Sequence, residues 1–282
     1  MKFSLILATL GRDKEVEMYL ESLRKQTYKN FELIIVDQNK EDFIEQKYEK
    51  LKDEMDIKYI RSDKKGLSIS RNIGLKFVTG DIIAFPDDDC EYPENILYDV
   101  SEFFKKNMDI NVMTCKSKDR ITGEDSNGKW LDAKTLIDTS NVLKAGISYT
   151  IFIKQDLVSD VTFDEKLGVG AYFGSGEESD MVLNLLHNPK YKGIYTPDYC
   201  VYHPNKEENV DRSYNYALGL GALIKKEIKF RNNKSYISKG ILDIICKPIA
   251  GMTLGIVTFN GKKFKLYKNR FLGRVKGFIQ YK

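Results

Sequence analysis

Ile82-Ile83-Ala84-Phe85-Pro86-Asp87-Asp88-Asp89-Cys90 is an apolar run that ends in three consecutive carboxylates. A short, continuously apolar run is the pattern of a parallel strand covered on both faces, so residues 82–85 are expected to form a buried strand. The acids leave that strand at its C-terminal end, where open α/β sheets bind ligands. Adjacent carboxylates repel one another unless positive charge sits among them. Hard cations such as Mg²⁺ or Mn²⁺ take one or two protein carboxylates together with phosphate oxygens, so the stretch points to a metal-assisted nucleotide diphosphate site. A solvated acidic turn ahead of a helix, with Asp89 or a neighbour near the N-cap, explains the same residues. The rest of the chain has to separate the two.

Upstream, strands and helices alternate. Residues 2–8 read as a first strand running into the polar turn Thr9-Leu10-Gly11-Arg12-Asp13. Val16, Leu20 and Leu23 recur at helical spacing across residues 14–26, and residues 31–36 form a second buried strand that ends at Asp37-Gln38-Asn39. A helix over 41–54 and a strand over 57–60 repeat the unit. A polar loop then ends at Gly66, residues 68–78 read as a helix with Ser68 as N-cap, and Gly80 closes it. This alternation predicts a mostly parallel sheet with right-handed crossovers. Thr9, Asp37 and Asp87 would stand on one edge of it, around one crevice. No GxGxxG or GxxxxGK[ST] occurs, which argues against a dinucleotide-binding Rossmann domain and a P-loop.

Downstream, residues 93–106 read as a helix and 110–115 as a strand. Residues 117–142, polar and turn-rich around the single Trp130, read as a surface excursion of the kind that carries specificity. Residues 147–153 are apolar again. A second acidic group follows a loop containing Gly168, Gly170, Gly174 and Gly176: Glu177, Glu178 and Asp180 occupy the first turn of a helix continuing to residue 186. Helix dipole and capping alone would also place acids there. His203, one of two histidines, ends a strand-like run after both acidic groups, which gives a metal-ligand role weight beside the structural role more usual for a lone histidine. His187 has no such setting.

A chain of 282 residues, 42% hydrophobic and 12% aromatic, supports one large α/β domain with an appendage, or two domains. Four scattered cysteines without a CxxC pair, and no secretory signal, fit free thiols in a reducing cytoplasm. The net charge of +4 hides a division. Residues 225–282 hold 15 Lys and Arg against 2 acids, net +13, which leaves 30 against 39, net −9, in residues 1–224. Such a tail points to an anionic partner, membrane or nucleic acid, although solubility alone also favours surface charge. Residues 214–230 read as helical. Residues 240–259 are the most apolar stretch, but Asp243, Lys247 and Pro248 interrupt it, so no full membrane span is expected. Residues 262–282 interleave aromatic and aliphatic residues with lysines and arginines, the pattern of an amphipathic helix lying in a membrane interface. No recognition motif supports nucleic acid.

Three separated stretches carry a more specific likeness. Phe3-Ser4-Leu5-Ile6-Leu7-Ala8-Thr9, then residues 23–37 with Gln26-Thr27-Tyr28-Lys29-Asn30-Phe31 leading into Ile34-Ile35-Val36-Asp37, and finally Gly80-Asp81 with the stretch quoted first, together resemble the family 2 glycosyltransferases of the GT-A fold. Order and spacing fit from residue 1 to about residue 204, and residues 214–222 look like bacterial members that build capsule, exopolysaccharide or lipopolysaccharide. The resemblance implies a GT-A domain over residues 1–207 and a helical, basic, membrane-associating extension over 208–282. It implies an inverting, metal-dependent transfer of a sugar from a nucleotide-diphosphate donor to a hydroxyl of a polyprenyl-linked saccharide acceptor, at the cytoplasmic face of the cell membrane. Asp87 and Asp89 match the DxD positions: Asp89 would ligate Mn²⁺ or Mg²⁺, Asp87 would hold the ribose or a metal-bound water, and His203 would complete the coordination. Asp88 is the intervening residue of the donor site. Thr9, Arg12, Asp37, Gln38 and Gly66 would lie near the nucleotide, with Arg71 and Asn72 beside base and diphosphate. Glu178 falls where the family places its catalytic base, and Glu177 and Asp180 would orient the acceptor or Glu178. Many relatives carry an acid at the position of Gln38; an amide offers both donor and acceptor, leaving uridine, thymidine and guanosine nucleotides open.

Two other classes compete. A sugar nucleotidyltransferase shares an α/β nucleotide-binding fold but uses a glycine-rich basic loop that residues 9–13 resemble only weakly. A non-enzymatic membrane-binding module would not need intact acids at both sites.

Overall fold

The computed structural model describes residues 1–128, 130–205 and 209–282. Among these, the chain forms two compact units, one from residues 1–65, 69–162 and 181 onward to 205, the other from residues 66–68, 163–180 and 209–282. The expected boundary between residues 207 and 208 lies outside the described residues.

The first unit is built on one sheet of eight strands: β1 (Phe3–Thr9), β2 (Phe31–Asp37), β3 (Asp56–Arg61), β4 (Ile82–Ala84), β5 (Val112–Lys118), β6 (Thr135–Ile137), β7 (Ile151–Lys154) and β8 (Gly193–Tyr202). Their spatial order is β3-β2-β1-β4-β7-β5-β8-β6. The expected parallel pairing runs through β3, β2, β1 and β4. Beyond β4 the sheet is mixed: β7 lies antiparallel to both β4 and β5, β8 returns parallel to β5, and β6 closes the edge antiparallel to β8. The excursion over 117–142 therefore contributes a strand rather than surface loop alone.

The helices are α1 (Lys14–Arg24), α2 (Phe43–Leu51), α3 (Leu67–Leu75), α4 (Ile96–Lys106), the short α5 (Val142–Ala145) and α6 (Glu177–Leu186). Every residue of β1 and β2 is buried, which is why both read as largely apolar runs, with Ser4 and Glu32 the polar residues inside them. Phe3, Leu5 and Leu7 join a core with Val16, Tyr19, Leu20 and Leu23 of α1 and with Ile96, Leu97 and Val100 of α4. On the opposite face Ile6 fills the space where a Cβ on Gly74 would stand, so only glycine lets α3 approach the sheet. Register then sets the site. Thr9 pairs with Asp37 and Leu5 with Ala84, so the polar residues after β1, β2 and β4 emerge at one sheet edge.

In the second unit, α7 (Val210–Lys225) packs on α10 (Gly261–Gln280). A Cβ on Gly221 would strike the Arg274 carbonyl, and one on Gly277 the Leu218 carbonyl. The expected amphipathic helix therefore exists as α10, but α7 covers its small-residue face. Between them lie α8 (Ser235–Gly240), a π-helical turn (Ile241–Cys246) and α9 (Lys247–Val257), with Pro248 tolerated in the first turn of α9. The interruptions foreseen at Asp243 and Pro248 do not break this helix, and Ser235–Val257 is long and apolar enough to cross a membrane by length and composition.

A buried ion network ties the second unit together. Asp180, 3% exposed, meets Lys226 Nζ at 2.7 Å and Arg231 at 2.9 Å; Lys226 also meets Asp164 at 2.7 Å, and Arg231 reaches Glu227 at 2.5 Å. Burial pushes the Asp180 carboxyl up, against the pull of Arg231 and Lys226. Arg231→Met would leave Asp180 with Lys226 and Glu227 with Asn233 in a dry setting, and removing one partner of such a network costs up to roughly 3–5 kcal/mol. An unfolding free energy in urea lowered by less than about 1 kcal/mol would show the network to be dispensable.

Candidate active site

Seven of the residues singled out from sequence come together in the first unit. Asp87, Asp88 and Asp89 leave β4 as a turn, and each acid takes different partners. Asp87 Oδ1 accepts from the fully buried Arg71 on α3 at 2.9 Å and from Ser148 Oγ at 3.0 Å. Asp88 accepts from Thr9 Oγ1 at 3.0 Å, with Arg12 Nε 4.0 Å away. Asp89 lies 3.2 Å from Arg12 and 3.0 Å from His203 Nε2, brought in from the end of β8.

Asp87, Asp89 and His203 present one ligand atom each within 4.8 Å of one another. Two carboxylates and an imidazole are a donor set that Mn²⁺ accepts. The 3.0 Å between His203 Nε2 and Asp89 Oδ1 matches neighbouring ligands of an octahedral ion, which at bond lengths of about 2.1 Å lie roughly 3 Å apart. His203 Nδ1 is 2.9 Å from the Pro204 carbonyl and from Asn127 Nδ2. Asn127 Nδ2 can only donate and the Pro204 carbonyl can only accept, so Nδ1 serves one of them at a time; the tautomer that donates to the carbonyl leaves Nε2 with its lone pair toward the acids, the usual second interaction of a metal-bound histidine. Tyr149 stacks on the ring at 4.9 Å, held by Asn127 at 2.7 Å and by its own bond to Ser117 at 3.1 Å.

Three acids face two guanidinium groups here, and the surplus negative charge is felt at Asp88. Burial, and then the neighbouring Asp87, raise its pKa to about 6. A raised carboxyl favours the folded state below the unfolded value near 4, and that stabilisation is lost as pH rises through about 6. A cation at the cluster would reverse the loss. Metal-free protein is thus expected to lose stability between pH 4 and 6, and saturating Mn²⁺ to raise Tm more at pH 7.5 than at pH 5; an equal rise at both would contradict this.

Asp37 ends β2 fully buried. Its Oδ1 accepts from the backbone N and Nδ2 of Asn39 at 2.8 and 2.7 Å, and its Oδ2 accepts from Tyr59 at 2.8 Å. Asn39 Oδ1 in turn accepts from Gly11 N at 2.6 Å, which fixes the left-handed turn (φ 71°) before Arg12. Gln38 adjoins Thr9, its backbone N donating to the Thr9 carbonyl at 3.0 Å. Asn72 is half-buried beside Arg71.

The second unit holds the other candidates. Gly66 (φ 135°) precedes Leu67, whose N–H donates to the Val169 carbonyl at 3.0 Å. Ser68, expected as an N-cap, instead donates to the Leu167 carbonyl at 2.6 Å. These bonds hold the glycine loop, and a Cβ on Gly168 would press on Glu177 at 3.0 Å. Glu177 and Asp180 are buried, while Glu178 between them is part-buried, with its Oε2 enclosed.

The profile described as Glycosyl transferase family 2 matches residues 4–157. The chain belongs to this family. It is 30% identical over 214 residues to an uncharacterized glycosyltransferase of Haemophilus influenzae, covering 72% of this chain and 69% of that one. It is 25% identical over 250 residues to the GalNAc(5)-diNAcBac-PP-undecaprenol beta-1,3-glucosyltransferase of Campylobacter jejuni, covering 83% and 78%. Its fold is shared with the mannosyltransferase PcManGT from Pyrobaculum calidifontis, solved in complex with GDP-Man and Mn²⁺, at a TM-score of 0.70 and 13% identity over 99% and 86% of the two chains. The expected GT-A architecture and the expected enzyme class are thus both borne out. The cluster also draws in residues that the sequence did not mark: Ser148, Tyr149 and Asn127 around Asp87 and His203, and Asn39 beside Asp37. Ser148 and Tyr149 lie inside the stretch 147–153, which reads only as apolar, and two polar side chains near its start are the available signal.

Proposed function

We propose that this family 2 glycosyltransferase is inverting and metal-dependent, and that it moves a sugar from a nucleoside diphosphate to a hydroxyl of a lipid-linked saccharide at the cytoplasmic membrane surface. The cluster of Asp87, Asp89 and His203 is the observation that carries this reading. Those three residues would hold Mn²⁺ or Mg²⁺, which when bound supplies Lewis-acid stabilisation of the leaving diphosphate. Arg71 and Ser148 fix the Asp87 carboxylate, and Arg12 brings a second positive charge beside the acids, where the donor phosphates would lie. Asp37, Gln38 and Thr9 would border the nucleoside. Glu178 is assigned as the base: it takes the acceptor hydroxyl proton as that oxygen attacks the anomeric carbon from the face opposite the leaving group. It is less buried than Glu177 and Asp180, and the ion network gives Asp180 a positioning role instead.

The lipid-linked acceptor is supported by the Campylobacter relative, named for an undecaprenol-linked substrate, and by the net +13 of residues 225–282. A screen of UDP-, GDP- and dTDP-sugars with Mn²⁺ tests the whole reading. It predicts slow release of nucleoside diphosphate from one donor class; no release from any of them, with pyrophosphate formed instead from a nucleoside triphosphate and a sugar 1-phosphate, would identify a nucleotidyltransferase.

A further inference from the structure

We propose that the second unit lays the helix Ser235–Val257 along an anionic bilayer, with one apolar face inserted among the lipid acyl chains. The inference deepens the membrane reading above and rests on it for the choice of a bilayer as partner.

Ile237, Ile241, Ile245, Ile249, Ile256 and Phe259 are each between 44% and 96% exposed. The first four recur at four-residue steps, so they line one side of the helix. An exposed apolar surface of this extent marks an interaction site rather than ordinary scatter. Charge hardly interrupts it: Asp243 is buried and paired with Lys247. The other side of the helix is already occupied. Gly240, Gly251 and Gly255 are buried there, and Cβ atoms on Gly251 and Gly255 would run into Tyr267 and Phe264 of α10.

That packing decides the orientation. A helix crossing the bilayer would carry α10, with its seven lysines and arginines, into hydrocarbon, where such charges are expensive. Lying in the interface, the same helix buries its isoleucines and leaves the α10 cations at headgroup depth. Charge also selects the occupant. A region of net +13 repels a second copy of itself and attracts anionic lipid. The sequence had assigned the interface to α10; the exposed apolar face belongs to α8 and α9.

Cys246 offers the test, being exposed beside Ile245, whereas Cys90 and Cys115 are buried. Full-length Cys200→Ser protein labelled at Cys246 with an environment-sensitive fluorophore is mixed with vesicles of equal parts phosphatidylglycerol and phosphatidylethanolamine. These lack any sugar acceptor, so binding is read apart from catalysis. The emission is expected to shift to the blue and to stay shifted at about 1 M salt, where purely electrostatic attachment is screened. Unlabelled Ile245→Glu and Ile249→Glu, each folded by circular dichroism, should partition roughly tenfold or more weakly in sedimentation. Complete release of the parent protein by salt, unchanged partitioning of both variants, or a dimer in solution that either variant dissociates while vesicle binding persists would each overturn the proposal.

Discussion

Glu178→Gln is expected to slow sugar transfer by roughly 10²–10⁴-fold, the range contributed by a positioned general base. The substitution keeps the size and shape of a part-buried side chain on the first turn of α6 and removes its ability to take a proton, so circular dichroism and Tm should stay close to those of the parent. Donor binding belongs to other residues and should persist: thermal protection by the nucleotide sugar in the presence of Mn²⁺ should match that of the parent protein. The corresponding change at Asp180 should behave differently. Asp180→Asn leaves Lys226 and Arg231 partly unpaired, so its first effect is on stability. Transfer that survives in Glu178→Gln would remove the base assignment without touching the metal cluster.

Asp89→Asn is expected to cost transfer roughly 10²–10³-fold or more, since stabilising a leaving diphosphate is worth several kcal/mol. The amide preserves volume next to Arg12 and His203 but gives up the charge that a hard cation requires. Added Mn²⁺ should restore little of the rate within the range that saturates the parent enzyme. Asp88→Asn should be milder, because that carboxyl is spent on Thr9 and has a pKa already raised to about 6. Equal losses at Asp88 and Asp89 would show that the triplet acts only through its summed charge.

The half of the fold that was legible in sequence is the half whose strands are covered on both faces. β1, β2 and β4 are buried throughout, and burial on both sides leaves a run that is apolar but for Ser4 and Glu32 and ends where the chain meets the crevice. Beyond β4 the signal weakens. β6 is three residues long with one exposed leucine, and β7 starts after a 3-10 turn that hides Ser148 and Tyr149 in apolar surroundings. Parallel or antiparallel pairing of β7 leaves no mark on its own residues.

Within the site, the three acids and His203 were readable because their chemistry is unusual for a strand end. Their supporting shell was not. Asn127 reaches His203 across 76 residues of chain, and Ser148 reaches Asp87 across 61, so neither spacing forms a motif. Asp180 was ambiguous for the same reason. Its partners Lys226 and Arg231 lie 46 and 51 residues downstream, and only the fold reveals that they consume its carboxylate. The exposed face of Ser235–Val257 was obscured by Asp243 and Pro248, which read as interruptions until the π-helical turn and the first turn of α9 were seen to absorb them.

The most direct test is an electron paramagnetic resonance titration of Mn²⁺ into the parent protein and Asp89→Asn, with UDP and with GDP. The cluster of Asp87, Asp89 and His203 predicts one tightly held ion per chain, strengthened by the matching nucleotide, coupled to an imidazole nitrogen, and lost in Asp89→Asn. Nucleotide binding that is indifferent to Mn²⁺, or an ion held equally well by both proteins, would contradict the account.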